Sequence, residues 1–482
     1  MLDKILTKEM AQLRSMTQDY IDGSTSISSM EKGYLKQVLS LCLSLLCFVI
    51  KSKVSLLSKQ GAPVVNGQSL RNKGVRPRKY LSLFGLIEFC RPSYYDADIG
   101  MVYPLDEVLH LPQGLWSYNI EEYTAQSASE VDFRESVCLL NELLGLDLSS
   151  AGSERNIGAL SRHVDTFYES QPVEQAPPQA CFCASFDGKG VPKIKSAKQE
   201  AAPPSARLGK GQKRGTKQMA TVGVMSWIEP VERDKSSILK ALMREYDESS
   251  TASKSRDNGR HQAIHRRAFL ADQDKAIAYG LAHIQQRINH PDQRLVVPID
   301  AGIGLEDKVL EYVKKYGLEA HFEGIILDFI HVSEYVWDCA NALLGESSKL
   351  RHQWVRDMLE DLLDSKTTKV IADLQQIIDK SQSLSDNRKE KISKALTYFT
   401  NHQHKMDYAR YLKKGYPITS AIVESNCKHL VKDRMEQSGM RWSCDGAQAM
   451  MDIRATKLNG DLPQLIQFVD NHHRSRVKLL AA

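Results

Sequence analysis

Three acidic residues stand where their neighbours could hold them still. Asp187 follows Ala184-Ser185-Phe186, Asp300 follows Leu295-Val296-Val297-Pro298-Ile299, and Glu424 lies in Ile422-Val423-Glu424-Ser425-Asn426-Cys427-Lys428. The first two runs read as β-strands ended by an acid, and the third as a helix. Hard divalent cations take oxygen ligands from rigid elements, so carboxylates placed this way suit a two-metal phosphoryl-transfer site. In such a site Asp187 bridges two Mg²⁺ or Mn²⁺ ions, while Asp300 and Glu424 each complete one. Lys428 falls one helical turn after Glu424, where it either holds a phosphate or forms an i,i+4 ion pair with that acid. Each acid has a plain reading of its own: a turn at Asp187-Gly188, a helix entry at Asp300-Ala301-Gly302, an ordinary helical glutamate. Leu327-Asp328-Phe329-Ile330-His331 supplies a rival second acid in Asp328. Asp300 is preferred because it follows the fourth expected strand. Asp328 and His331 also fit a hydrogen-bonded pair closing a fifth strand.

The elements needed to position these groups can be read in order. Strands are expected up to Asp187, over 219–227, near 268–270, up to Asp300 and over 324–330, with helices over 273–288 and 305–316. Three strands, helix, strand, helix, strand is the order of a ribonuclease-H-like core, a mixed α/β sheet. Residues 331–411 read as helix throughout, interrupting that core before the helix over 420–435 that carries Glu424. A helix over 445–457 and a basic tail follow. Upstream, residues 1–60 look helical, 61–67 break the pattern, and 80–89 form a strand or a hairpin turning at Gly85. A helix over 133–145, a polar turn, and a helix over 154–167 bearing Arg155 and Arg162 have the outline of a helix-turn-helix, or of any αα-hairpin. The Pro/Gln-rich stretch 171–179 marks a boundary.

The fold class is therefore multidomain α+β: a helical N-terminal DNA-binding region, then a mixed α/β catalytic core interrupted by an all-helical insertion. The segments are 1–67 (helical), 68–170 (DNA-binding), 180–338 (first part of the core), 339–410 (insertion) and 411–482 (core completion and basic tail).

Bulk numbers bound the rest. At 482 residues, 42% hydrophobic and 26% charged, the chain has room for two to four soluble domains. Its net charge of +5 is a weak hint of an acidic partner, but the cations cluster. The run 71–79 and the stretch holding Lys210, Lys213, Arg214 and Lys217 read as dense basic loops suited to phosphate backbones. Nine cysteines with no CxxC pair support neither a zinc ribbon nor a disulfide framework, and read as reduced, mostly buried thiols of a cytosolic protein. Cys181 and Cys183, two apart on an expected strand, share a face. The apolar run 38–50 is short for a bilayer span and is expected to be a buried helix, with no membrane partner.

With these motifs in view, the chain resembles bacterial insertion-sequence transposases of the DDE class, nearest the ISKra group, from about residue 80 onward. The resemblance rests on Phe84-Gly85, Tyr103-Pro104-Leu105-Asp106-Glu107, Phe186-Asp187-Gly188-Lys189-Gly190 and Leu208-Gly209-Lys210-Gly211-Gln212-Lys213-Arg214. It continues through Asp328-Phe329-Ile330-His331, the segment from Gly415 to Lys428, and Ser438-Gly439-Met440-Arg441-Trp442-Ser443, which with the preceding segment is the most specific part. It implies Asp187, Asp300 and Glu424 as the catalytic triad, Asp328 and His331 as the Asp-x-x-His pair of such enzymes, and the helical block as their insertion domain. It also implies action on element ends and target DNA, a homo-oligomer on DNA, and a bacterial cytoplasmic, nucleoid-associated setting. Arg441 and Trp442 would contact DNA by phosphate pairing and base stacking, or form a core tryptophan with a snorkelling arginine. Relatives often carry a cysteine-based zinc site where this chain has Tyr94-Tyr95-Asp96-Ala97-Asp98-Ile99-Gly100, so no zinc is expected. Asp300-Ala301-Gly302 likewise departs from the more usual Asp-Gly.

Overall fold

The structure, a computed structural model, describes residues 2–23, 25–65, 68–97, 100–194, 217–243, 260–302, 304–345, 348, 350–380 and 384–475. Lys210, Lys213 and Arg214 lie outside the described residues. The chain divides into two compact units, Met1–Ser170 with Asp452–Ala482, and Gln171–Met451.

The first unit opens with helices α1 (Leu2–Asp22) and α2 (Ile27–Leu57), the latter capped by the Ser26 hydroxyl, which accepts from the Ser29 N–H. The short pair β1 (Val64–Val65) and β2 (Gln68–Ser69) follows. β3 (Arg71–Ser82) and β4 (Gly85–Asp96) then form a long hairpin, extended by β5 (Gly100–Val102) beside β4. The chain reverses just before Gly85, whose φ of +130° an L side chain would rarely adopt. The basic run 71–79 is thus a strand, not the expected loop. The expectation of a buried helix over 38–50 also fails. α2 lays one stripe, with Leu43, Leu46 and Cys47, on Ile87, Phe89 and Leu105, and only Ile50 is buried, while Leu35, Val38, Val49 and Leu56 are exposed. By length and composition α2 could cross a membrane.

After α3 (Pro104–Val108) come α4 (Tyr118–Ala128), α5 (Phe133–Leu144), α6 (Ser150–Ser161) and α7 (Val164–Ser170). Leu81, Ile120, Val137 and Leu148 share a core here. Gly145, at φ 64°, ends α5, and Ser149 caps α6 through the Gly152 N–H. The capping serine therefore starts the second helix earlier than expected, and a break at Arg162 and His163 splits it.

In the second unit, β6 (Cys181–Pro192), β7 (Lys217–Ile228), β8 (Gln262–Leu270), β9 (Arg294–Ile299) and β10 (Phe322–Leu327) form one sheet in the order β10-β9-β6-β7-β8. The β6/β7 and β7/β8 pairs are antiparallel, and β6/β9 and β9/β10 are parallel. Strand alternation splits the core in two. Phe182, Ala184, Phe186, Leu295, Val297 and Ile299 pack on α9 (Gln273–Gln285) and α10 (Leu305–Lys315), α8 being Lys235–Met243. Cys181, Cys183, Val296 and Ile326 face the other way, into a helical block. That block comprises α11 (Phe329–Leu344), α12 (Leu350–Leu363), α13 (Thr367–Lys380), α14 (Asp386–His402) and α15 (Tyr408–Lys413). Both thiols on one face is as the alternation predicts. Of the nine cysteines four are buried, while Cys90, Cys138 and Cys444 are exposed, so "mostly buried" overstates it.

The Glu424 segment is helix α16 (Ala421–Asn426), a π turn (Cys427–Lys432) and α17 (Asp433–Met435), not one uniform α-helix. The division between units falls inside α18 (Cys444–Leu458). Its last turns and α19 (Leu462–Ser475) group with the first unit, whereas the sequence reading attaches 411–482 to the core. There the Arg454 guanidinium pairs with Glu130 at 2.9 Å and the Phe468 ring meets Phe167 edge-on.

Candidate active site

The parallel strands fix where the acids fall. β6 and β9 pair as Cys181↔Arg294, Phe182↔Leu295 and Cys183↔Val296, and β9 and β10 end as Ile299↔Leu327. Continued along the chain, this register brings Asp187 and Asp328 to the two sides of Asp300. Asp187 does not end its strand as expected: β6 runs on to Pro192, paired with β7 throughout. Pairing to β9 ends before Asp187, at Cys183↔Val296, and Pro298 keeps it from resuming. The Arg294 N–H donates to the Ala180 carbonyl, so residues of β9 with that parity face β6. Pro298 shares the parity and has no N–H to continue the ladder. The strands can part there, leaving room between Asp187 and Asp300. Phe186, one residue before Asp187, is wedged against Gly280 of α9, where a Cβ would come within 2.9 Å of its ring. That contact holds the strand from behind.

The charges register one another. Burial, then the neighbouring Asp187 carboxylate, raises the Asp300 pKa above the ordinary aspartate range, although the Gly302 N–H donates to Asp300 Oδ1 at 3.2 Å. Glu424 is raised too, by burial first and then by Asp328, Asp187 and Glu334, against the opposing pull of His331. His331 Nε2 lies 3.0 Å from Glu424 Oε1, and its Nδ1 lies 3.3 Å from Glu334 Oε2. Partial burial lowers the His331 pKa, but the Glu334 hydrogen bond and the Asp328, Glu334 and Glu424 charges outweigh it and carry it up. Lys428 is exposed, and among the described residues Glu424 forms its ion pair with His331 rather than with Lys428.

Asp328 is of another kind. It is fully buried and is the N-cap of α11, not the end of a strand reaching 330. Its Oδ1 accepts from the Ile330 and His331 N–H groups at 2.6 and 3.1 Å, and its Oδ2 from the Ser420 N–H and hydroxyl. Its own N–H donates to Ile299 O, and the Phe329 N–H to Ile418 O, both at 2.9 Å. Both carboxylate oxygens are occupied by four donors, which leaves Asp328 poorly placed to bind a cation. It instead ties together the end of β9, the start of α11 with His331, and the turn into α16 with Glu424.

The sequence reading passed over two neighbours. Ser420 completes the Asp328 lock, and its only signal was its place four residues before Glu424 in the motif. Cys427, buried at the start of the π turn, lies near the Asp187 carboxylate. Burial first, then the Asp187 charge, raise the thiol pKa well above its usual value, so it stays protonated. π turns recur at functional sites, and this one links the Glu424 helix to the Asp187 strand.

The residues expected to meet DNA do not form one group. Arg155, on α6, and Arg162, just past its end, are exposed. Lys217 opens β7 and is ion-paired with Glu436. Arg441 is exposed, but Trp442 takes the core alternative. It is 7% exposed, its indole N–H donates to Met435 O at 3.1 Å, and the Arg434 guanidinium lies 4.9 Å from its ring. Its backbone joins the end of β6 through Pro192 and Ile194, so its ring is not offered to a base.

Among the described residues, no three His, Cys, Asp or Glu side chains form a ready-made metal cluster. Asp187, Asp300 and Glu424 nonetheless suit hard cations by donor type, and their mutual repulsion is what a bound cation would relieve.

No known family's model matches the chain, and no curated protein matches it. Among solved structures it is similar to a Drosophila P element transposase strand transfer complex, with a TM-score of 0.26 and 9% identity, over 76% of this chain and 84% of that one. A match of that quality leaves fold and site resting on the chain's own geometry.

Proposed function

We propose that this chain is a DNA transposase of the DDE type, with Asp187, Asp300 and Glu424 as its catalytic carboxylates. One observation carries the reading: a sheet ordered β10-β9-β6-β7-β8, in which parallel register brings Asp187 beside Asp300 and the His331 bridge brings Glu424 to them. That strand order is the order of a ribonuclease-H-like core, and α11–α15 hold the place of a helical insertion before the last acid. In this reading the three carboxylates hold two Mg²⁺ or Mn²⁺ ions, which when bound supply an activated attacking oxygen and a stabilised leaving one.

The chain's own groups do the rest. Pro298 keeps the first two acids apart, Asp328 and Ser420 fix the backbone before Glu424, and His331 holds the Glu424 carboxylate toward the sheet. The Gly188 N–H holds the Asp187 carboxylate. Exposed Arg155, Arg162, Lys428 and Arg441 are left to meet phosphates, and Lys210, Lys213, Arg214 and Lys217 extend that set. Element ends and target would be the DNA substrates, the working form an oligomer on paired ends, and the setting the bacterial cytoplasm.

The test is cleavage and joining of labelled element-end DNA with Mg²⁺ or Mn²⁺, wild type beside Asp187→Asn and Glu424→Gln. Metal-dependent joining lost in both variants is the expected result. Cleavage without joining would make the protein a nuclease. Binding without chemistry under either metal would leave a DNA-binding protein only.

A further inference from the structure

β3 carries five cations and no acid between Arg71 and Lys79, in a chain whose 64 basic and 59 acidic residues nearly balance. The five have different surroundings. Arg78 turns to the carbonyls of Gln113 and Gly114, at 3.2 and 2.7 Å, and Lys79 pairs with Glu88 at 2.7 Å. Arg71, Lys73 and Arg76 face no carboxylate within ion-pair distance among the described residues, and Lys73 lies 5.5 Å from the Tyr95 ring.

Every residue from Arg71 to Pro77 is exposed, so both faces of this strand meet solvent. Over Arg71–Lys79 β3 is an edge, pairing with β4 alone among the described residues, and β5 touches β4 only at Tyr94–Asp96. Most of the hairpin is therefore a two-stranded ribbon. A bulge between Asn72 and Val75 twists it, held by the Gly74 N–H on Asn72 Oδ1 at 2.7 Å and the Ser93 hydroxyl on Gly74 O at 2.9 Å.

Charges, prolines and bulges also protect an edge strand from pairing with another chain. That role favours lysine, whereas two of the three cations without a carboxylate partner are arginines, and it is already served by Pro77 and the bulge.

We propose that β3 is a duplex-DNA-binding ribbon whose Arg71, Lys73 and Arg76 lie against phosphates. The partner rests on the reading of this chain as a DNA-processing enzyme. A two-stranded ribbon fits a major groove about 12 Å wide, and the seven exposed residues span about 23 Å of it.

The test is the salt dependence of binding to a duplex of arbitrary sequence, by fluorescence anisotropy, for the full chain with Arg71, Lys73 and Arg76 changed to alanine. Between about 50 and 300 mM salt, the slope of log affinity against log salt should shrink by about 2 to 3, close to one per lost phosphate contact. The charge-keeping pair Arg71→Lys with Arg76→Lys should keep the wild-type slope. Should the triple variant melt earlier than wild type, the three single alanine variants are read instead, each expected to lower the slope by about one. Wild-type binding with an unchanged slope in the variants overturns the ribbon and leaves the proposed function standing. No duplex binding by the wild type overturns both. Loss of binding to phosphatidylserine vesicles, with DNA binding intact, would assign the ribbon to a membrane surface and overturn the proposal.

Discussion

Like charges gather twice in this molecule, and the two gatherings are built in opposite ways. Where β9 and β10 end beside β6, carboxylates converge in a half-buried setting, and each is held: Asp187 by the Gly188 N–H, Asp300 by the Gly302 N–H, Glu424 by His331. Along β3 the cations spread through solvent with little holding them. Charges close together and partly desolvated repel strongly, so the first arrangement needs a scaffold to exist. Charges apart in water repel weakly, so the second needs only a strand to carry it. A site of fixed geometry and a surface of loose attraction are told apart by what each demands of its surroundings.

The contrast can be broken from either side, most sharply at the acids. Asp187→Asn or Glu424→Gln should lower strand cleavage about a thousandfold, several kcal/mol of lost charge stabilisation, with duplex affinity unchanged. A variant of either kind that still cleaves would remove that residue from the site. Next comes the lock. Asp328→Ala strips four donors of their acceptor and should cost roughly 3 kcal/mol or more in stability, since the cap alone contributes about 1 and stranded buried donors about 1–3 each. Ser420→Ala, which keeps the backbone N–H, should cost about 1–2 kcal/mol. It should lower kcat while leaving KM for DNA in place. If kcat holds and only the melting temperature falls, Ser420 is structural and not a positioning residue.

A third prediction lies in the first unit and concerns pH. Burial pushes the Glu121 carboxyl up to about 7. Between the ordinary glutamate pKa and that value the folded chain binds the proton that the unfolded chain has released. The contribution of Glu121 to stability is therefore greatest below about pH 4.5 and declines until about pH 7, by at most about 3 kcal/mol. Glu121→Gln should flatten this decline and raise the melting temperature at pH 8 relative to wild type. An unchanged melting curve would show that water reaches the carboxyl in the native state.

How much of this could be read beforehand divides along physical lines. Strand and helix order in the second unit was legible because β9 is apolar through both faces and α10 repeats at helical spacing. The acids were legible by type and order. Their supports were not. A serine lock at Ser420 and the π turn that sets Cys427 near Asp187 depend on contacts between segments far apart in sequence. Asp328 looked like a rival ligand because its four donors come partly from a turn that follows the whole helical block. The basic run 71–79 looked like a loop because charge, Gly74 and Pro77 mask strand alternation when neither face is buried. α2 looked buried because composition gives apolarity but not what is available to cover it.

The order of the chain has one more effect. Helices α11–α15 precede Glu424 in the chain, so a polypeptide broken off among them carries Asp187 and Asp300 without Glu424. Such a fragment also lacks Ser420 and Cys427, so the Asp328 lock and the surroundings of Asp187 are incomplete. On the function proposed above, synthesis halted midway would then yield an inert protein rather than a loose cutter of DNA.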